Sequence, residues 1–169
     1  MLNVKTNNHW GNLVIGSYQN SNIDPLMPIL HQEFPNWNSK RIKSYMDLIN
    51  NEDAEISGVL AAKNESGYYV GCLIFTCQQI DRNKLNGFLN NDSDEFYNVF
   101  VIENINTCIP ILQKQIFLAL VDEAVNIAKT KKCNYMELPT LSTQSYELVK
   151  RKYDDKIQSS QTFRTYIKL

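Results

Sequence analysis

Between Phe96 and Leu138 the chain changes character twice, and few folds accommodate the pattern. Phe96-Tyr97-Asn98-Val99-Phe100-Val101-Ile102 is aromatic and β-branched, the composition of a strand. From Ile111 to Lys132 there is neither Gly nor Pro, and Ile116, Leu120, Ala124, Ile127 and Ala128 recur at helical spacing. Asp122, Glu123, Asn126 and Lys129 supply the polar side, while Phe117, Leu118, Val121 and Val125 widen the apolar stripe. Such a helix is expected to be covered on more than one flank. Lys129, Lys131 and Lys132 crowd its last turn, where cations suit the helix dipole. Tyr135-Met136-Glu137-Leu138 reads as a second, short strand closed by Pro139. A strand, a long helix and a strand form a βαβ unit, which requires two parallel neighbours and a right-handed crossover.

The rest of the chain must fit around that unit. Its 169 residues are expected to form one domain, large enough to bury a core without staples. The net charge of −1 comes without a basic block or an acidic tail, which argues against a nucleic-acid partner. No apolar run is long enough to span a bilayer, and the first residues lack the apolar centre of a signal peptide. A cytoplasmic protein with no membrane partner is the resulting expectation. Cys72, Cys77, Cys108 and Cys133 show no metal-ligand spacing and sit in or beside apolar segments, so they read as buried free thiols. His9 and His31 have no companion Ser, Cys or Asp at a telling spacing, so no triad is expected.

In chain order, Asn12–Tyr18 reads as a first strand, and Asp24-Pro25 as an N-cap with Pro at the first helical position. That helix breaks at Phe34–Asn38, and a second runs from Ser39 to Asn50. Ile56–Ala62 and Tyr68–Ile80 form a hairpin around Lys63–Gly67. Both its strands are apolar at consecutive positions, which predicts cover on both faces and burial of Val59, Leu60, Val70, Leu73 and Phe75. Asp81–Asp94 is polar and Asn-rich, and reads as an exposed, mobile loop that would join any acceptor site. Ser142 or Thr143 caps a helix that runs to about Tyr153, and Thr162–Leu169 alternates as a last strand. The expected order is β-α-α-β-β-β-α-β-α-β. The fold class is α/β: a mixed, mostly antiparallel sheet with one central parallel β-α-β crossover and helices on both faces. A cleft belongs where the two parallel strands diverge, beyond their C-terminal ends and at the helix N-terminus.

This order resembles the GNAT superfamily of N-acetyltransferases. The junction Asn22-Ile23-Asp24-Pro25-Leu26, the hairpin Val59–Gly71 with its Val70-Gly71 pair, the helix body Leu120–Cys133 and the strand Tyr135–Leu138 carry the likeness. The resemblance implies acetyl-CoA as cofactor, held against the strand Val99, Phe100, Val101 and Ile102 and the helix start Gln113, Lys114, Gln115 and Ile116. It implies direct attack of an amine on the thioester, with a backbone N–H of the Val99–Ile102 strand holding the oxyanion. The family's pyrophosphate loop has glycines that let main-chain N–H groups approach the phosphates. Here those positions fall at Gln115 and Phe117 in one register, or at Ile116 and Leu118 in the other, and no Gly follows Gly87. Weak CoA binding, carried by the Lys114 charge, is the implication. The family's general-acid Tyr falls near Leu148, with Tyr146 and Tyr153 out of register.

Two carboxylates are candidates for proton transfer from an ammonium nucleophile. Glu103 follows the central strand, where a family base would face the cleft; the plainer reading is a solvated loop carboxylate. Glu137 lies inside a strand, where an inward carboxylate requires a partner and an outward one requires nothing. Phe34 and Trp37 occupy the zone where the family often gates its acceptor, although core packing is the plainer reading. The expected function is a divergent acyl-CoA-dependent N-acyltransferase acting on an amine of a small molecule or protein. The alternative is a binding or regulatory module that has lost CoA.

Overall fold

The computed structural model describes residues 2–4, 12–19, 22–51, 56–81, 96–108, 113–159 and 165–169. The expected loop at 82–94, and Pro110 ahead of the central helix, lie outside the described residues. The strands are β1 (Leu2–Val4), β2 (Leu13–Ser17), β3 (Ser57–Lys63), β4 (Tyr69–Asp81), β5 (Phe96–Thr107), β6 (Tyr135–Leu138), β7 (Ile157–Ser159) and β8 (Thr165–Lys168). The helices are α1 (Met27–Glu33), α2 (Ser39–Asn51), α3 (Gln113–Thr130) and α4 (Thr143–Tyr153). The described strands form a single sheet in the order β1-β2-β3-β4-β5-β6-β8-β7.

All described pairings are antiparallel except β5 with β6, where Val99, Phe100 and Val101 oppose Tyr135, Met136 and Glu137. The central crossover through α3 is therefore as its apolar period requires. Core clusters lie on both sides of the sheet. Phe100, Ile102, Leu73, Phe75, Met136 and Leu138 pack with the α3 residues Ile116, Leu120, Val121 and Ala124. On the other side Val59, Ala61, Cys72 and Ile74 pack with Leu30, Ile42, Met46 and Ile49 of α1 and α2. Consecutive apolar residues of the hairpin are shared between these two clusters, and Val59, Leu60, Val70, Leu73 and Phe75 are all buried.

Gly71 is what lets α3 lie so close. A Cβ there would sit 2.6 Å from Ile116 Cγ2 and 3.0 Å from the Asn106 carbonyl oxygen, below any ordinary contact. The end of α3 is made without glycine: Lys132 takes the left-handed conformation (φ 57°), and the Cys133 N–H donates to the Ala128 carbonyl at 2.9 Å.

Three expectations need correction. Asp24 does not cap α1; residues Asp24–Leu26 form a 3-10 turn, and the Asp24 N–H donates to Asn22 Oδ1 at 3.0 Å. The Pro25-Leu26-Met27-Pro28 run, with prolines in its first turns, favours that tighter start. The strands β1 and β7 were not expected, being too short to show a period. Lastly, β5 continues to Thr107, five residues past Ile102, so Glu103 belongs to a strand and not to a loop. Polar Asn104 and Asn106 hid that extension, because they line a cavity and do not face the core.

Candidate active site

The two parallel strands part company early. Pairing of β5 with β6 stops at Val101 opposite Glu137, whereas β5 stays paired with β4 as far as Thr107 opposite Gly71. Beyond Val101 the β6-facing edge of β5 therefore has no strand partner among the described residues. A cavity of about 330 Å³ opens there. Its walls are β5 from Glu103 to Thr107, the first two turns of α3 (Gln113, Lys114, Phe117), the loop Pro139–Leu141 and the start of α4.

A bulge in β5 shapes the cavity floor. Ile102 opposes Phe75 and Asn104 opposes Ile74, leaving Glu103 as the additional residue. Glu103 is exposed, and its Oε1 accepts a hydrogen bond of 2.9 Å from Thr76 Oγ1, which also accepts from Gln78 Nε2 at 3.0 Å. Next to it, Asn104 Nδ2 donates to Glu33 Oε1 at 2.5 Å across 71 residues of chain, and Asn106 Nδ2 donates to Asn104 Oδ1. This half-buried amide chain ties β5 to the last residue of α1. The α4 wall begins with Ser142, whose Oγ accepts from the Ser145 N–H at 3.2 Å as the expected N-cap.

The charges on the walls are divided. Glu33 and Glu103 stand at the α1–β5 end, and Lys114 stands at the first turn of α3. An anion is favoured at the second end, where a helix dipole adds to the lysine, and a cation at the first.

Of the residues expected at a site, Glu103, Gln113 and Lys114 line this cavity. Val99, Phe100, Val101 and Ile102 are buried just before it opens, and Gln115 is exposed outside its lining. Ile116 is fully buried and turned towards Gly71, so its bulk is spent on the core; Phe117 is the bulky residue on the cavity wall. Glu137 is buried in β6 between Val101 and Tyr166 and is not part of the lining. Leu148, where the resemblance placed a tyrosine, does line the cavity. Tyr153 instead donates to Asp122 Oδ1 at 2.6 Å, away from the site.

Phe34 and Trp37 stack at 4.6 Å, with Tyr45 edge-on to both and the Arg41 guanidinium 4.1 Å above the Trp37 ring. They pack against the α1–α2 core and do not reach the lining. Sequence reasoning missed Glu33, Asn104 and Asn106. The polar pair Asn104 and Asn106, spaced by two around Ile105, was the available signal that the strand continued with one polar face.

No protein-family model matches the chain, and no curated protein matches it in sequence. Solved structures match its shape. The aminoglycoside N-acetyltransferase AAC(6')-Iy, in complex with the bisubstrate analogue CoA-S-monomethyl-acetylneamine, is 13% identical with a TM-score of 0.61 over 83% of this chain and 88% of that one. A ribosomal-protein-alanine N-acetyltransferase from Brucella melitensis biovar Abortus 2308 is 15% identical, with a TM-score of 0.57 over 82% of this chain and 90% of that one. AtaT complexed with acetyl-methionyl-tRNAfMet is 10% identical, with a TM-score of 0.59 over 92% and 94%. The chain thus has the fold of the GNAT N-acetyltransferases. Among the described residues no helix is long and apolar enough to cross a membrane, and no cluster of His, Cys, Asp and Glu is placed to hold a metal ion.

Proposed function

We propose that the cavity is the active site of an acyl-CoA-dependent N-acyltransferase whose acceptor is a cationic amine on a small molecule or protein. The observation that carries this reading is the parting of β5 from β6, which sets Glu103 and the first turn of α3 on one cavity. Bound acyl-CoA would supply an activated thioester. Lys114 and Gln113 would hold its anionic part beside the N-terminus of α3. Ile116, turned in against Gly71, does not itself stand in that approach, which is an observation in favour of a fit. Glu33 and Glu103 attract the acceptor's ammonium group, and Glu103 takes its proton directly or through a water. The Asn106–Asn104–Glu33 chain keeps the α1 wall in place during that transfer. An unpaired backbone N–H on the free edge of β5 is the oxyanion donor in this scheme.

A second reading, a binding module without CoA, is favoured by Phe117, which narrows the wall at a position the resemblance keeps bare. Calorimetric titration with acetyl-CoA separates the two. The acyltransferase reading expects a Kd of about 0.1 mM or weaker, equivalent to less than about 1.5 kcal/mol of stabilisation at about 1 mM ligand. Binding should weaken with salt and be lost in Lys114→Ala. No heat at millimolar ligand, with the fold intact by circular dichroism, would establish the module instead. Micromolar affinity indifferent to Lys114→Ala would remove Lys114 from the site and keep the enzyme.

A further inference from the structure

The proposed reaction passes a proton through one carboxylate, Glu103, yet the cavity holds two. Glu33 is the last residue of α1 and Glu103 the additional residue of β5, and both line the same space of about 330 Å³. Neither is a loose surface group. Thr76 Oγ1 donates to Glu103 Oε1 at 2.9 Å, and Asn104 Nδ2 donates to Glu33 Oε1 at 2.5 Å. The Asn104 amide has only this orientation available, because Asn106 Nδ2 donates to its oxygen. The two carboxylates are therefore fixed at consecutive residues of β5, Glu103 by its own backbone and Glu33 through Asn104.

Each keeps its second oxygen, Oε2, without a donor among the described residues. No Lys, Arg or His among the described residues forms an ion pair with either of them. Lys114 is the only cation of the described lining, and it stands on the α3 wall, where the coenzyme's anionic part would take its charge. Two like charges anchored this close repel each other, and a ligand with one cationic group offsets only one of them. Phe117, Leu141 and Leu148 give the same cavity apolar surface, against which a short hydrocarbon linker can lie.

We propose that Glu33, held by Asn104, is a specificity-determining residue, and that the acceptor is a dicationic amine with one ammonium group at Glu103 and the second at Glu33. The transfer step rests on the acyltransferase reading; the binding of two charges does not. The ammonium at Glu103 gives one proton to that carboxylate and on to solvent. The amine then forms its N–C bond, the C–S bond breaks, and the coenzyme thiolate leaves with the second proton. The ammonium at Glu33 stays protonated and unacylated. Asn104 is a positioning residue, since it acts through Glu33.

The test is calorimetric titration of the folded full chain with the diamines putrescine and cadaverine and with the monoamines n-butylamine and n-pentylamine. Each pair shares a carbon chain and differs in one ammonium group, and each titration is run with and without coenzyme A. Wild-type protein should bind at least one diamine about 10-fold or more tighter than its monoamine. In Glu33→Gln that ratio should fall to about twofold, the statistical advantage of two equivalent ends. Asn104→Ala should lower it as well, whereas a merely structural change would weaken both members of a pair alike. Equal affinities in wild-type protein, no measurable binding of any probe included, or a ratio that survives Glu33→Gln, overturns the proposal. The wild-type comparison needs no variant, so a substitution that impairs folding leaves the test intact. Mass spectrometry after addition of acetyl-CoA separates the two readings. A diamine preference without acetylated product removes the acyltransferase and keeps the dication site. Acetylation of monoamines and diamines without a diamine preference keeps the acyltransferase and removes the dication site.

Discussion

Glu103 is held by one hydrogen bond, from Thr76, on an exposed stretch of strand, so its replacement disturbs little packing. Glu103→Gln keeps the shape and an acceptor oxygen but removes the proposed base. Steady-state kinetics with acetyl-CoA and a panel of primary amines should show kcat/KM lowered by about 100-fold or more. The KM for acetyl-CoA should stay within about twofold, since Glu103 and Lys114 belong to different walls of the cavity, β5 and α3. Activity equal to wild type would remove Glu103 from the chemistry. Phe75 is the contrasting residue, with everything around it packed. It is 4% exposed, stacks on Phe100 at 4.4 Å, and its ring covers the Cα of Gly58. Phe75→Ala should cost about 3–5 kcal/mol by denaturant unfolding; a loss below about 1 kcal/mol would mean that the ring site collapses freely.

At the scale of elements, α4 is joined to α3 by a small polar clasp. Asp122 of α3 accepts from Tyr153 at 2.6 Å and pairs with Lys152 at 2.5 Å. Burial first, then the hydrogen bond to Asp122 and its charge, raise the Tyr153 phenol above its ordinary value. In the unfolded chain that phenol ionises near pH 10. Above that pH the unfolded state sheds a proton that the folded state keeps, so the stability from this contact is complete below about pH 10 and is lost as the pH rises further. Tyr153→Phe should therefore cost about 1 kcal/mol at pH 7, and the difference from wild type should shrink above pH 10. A difference that persists unchanged into alkaline solution would show that the clasp does not hold the proton. Elements were also where the sequence was most readable. The α3 period, the Ser142 cap and the paired apolar runs of the hairpin each express a local rule, and each element stands where that rule puts it. The extension of β5 was harder to read, because Asn104 and Asn106 suggest the end of an apolar strand; their partner Glu33 is supplied from a distant part of the chain.

For the whole molecule, topology was legible because one long helix between two strands leaves few arrangements. The candidate site was legible only where it coincides with that crossover: Glu103, Gln113 and Lys114 line the cavity where the strands part, and Glu33, which joins them, follows from nothing local. Bulk at the helix start was legible as a list of side chains but not as a direction. That Ile116 turns inward depends on Gly71, a residue of β4.

The additional residue in β5 has a consequence for how that strand is written. Up to Ile102, even-numbered positions face α3, as Phe100 and Ile102 do, and odd-numbered ones such as Val99 and Val101 belong to the opposite side. After Glu103 the parity is exchanged: Ile105 packs with the α3 cluster, and Asn104 and Asn106 turn towards α1. The strand is thus two half-strands out of step by one, and the step is what sends both amides to a cavity wall instead of beneath a helix. Removing Glu103 altogether is a different experiment from substituting it. A one-residue deletion would put the halves in phase and leave the faces as they are, with Asn104 directly after Ile102 opposite Ile74, and Ile105 still on the α3 side. It should cost no more than about 1 kcal/mol beyond Glu103→Gln, and parallel denaturation curves showing a loss of several kcal/mol would mean that the bulge itself holds the cavity wall.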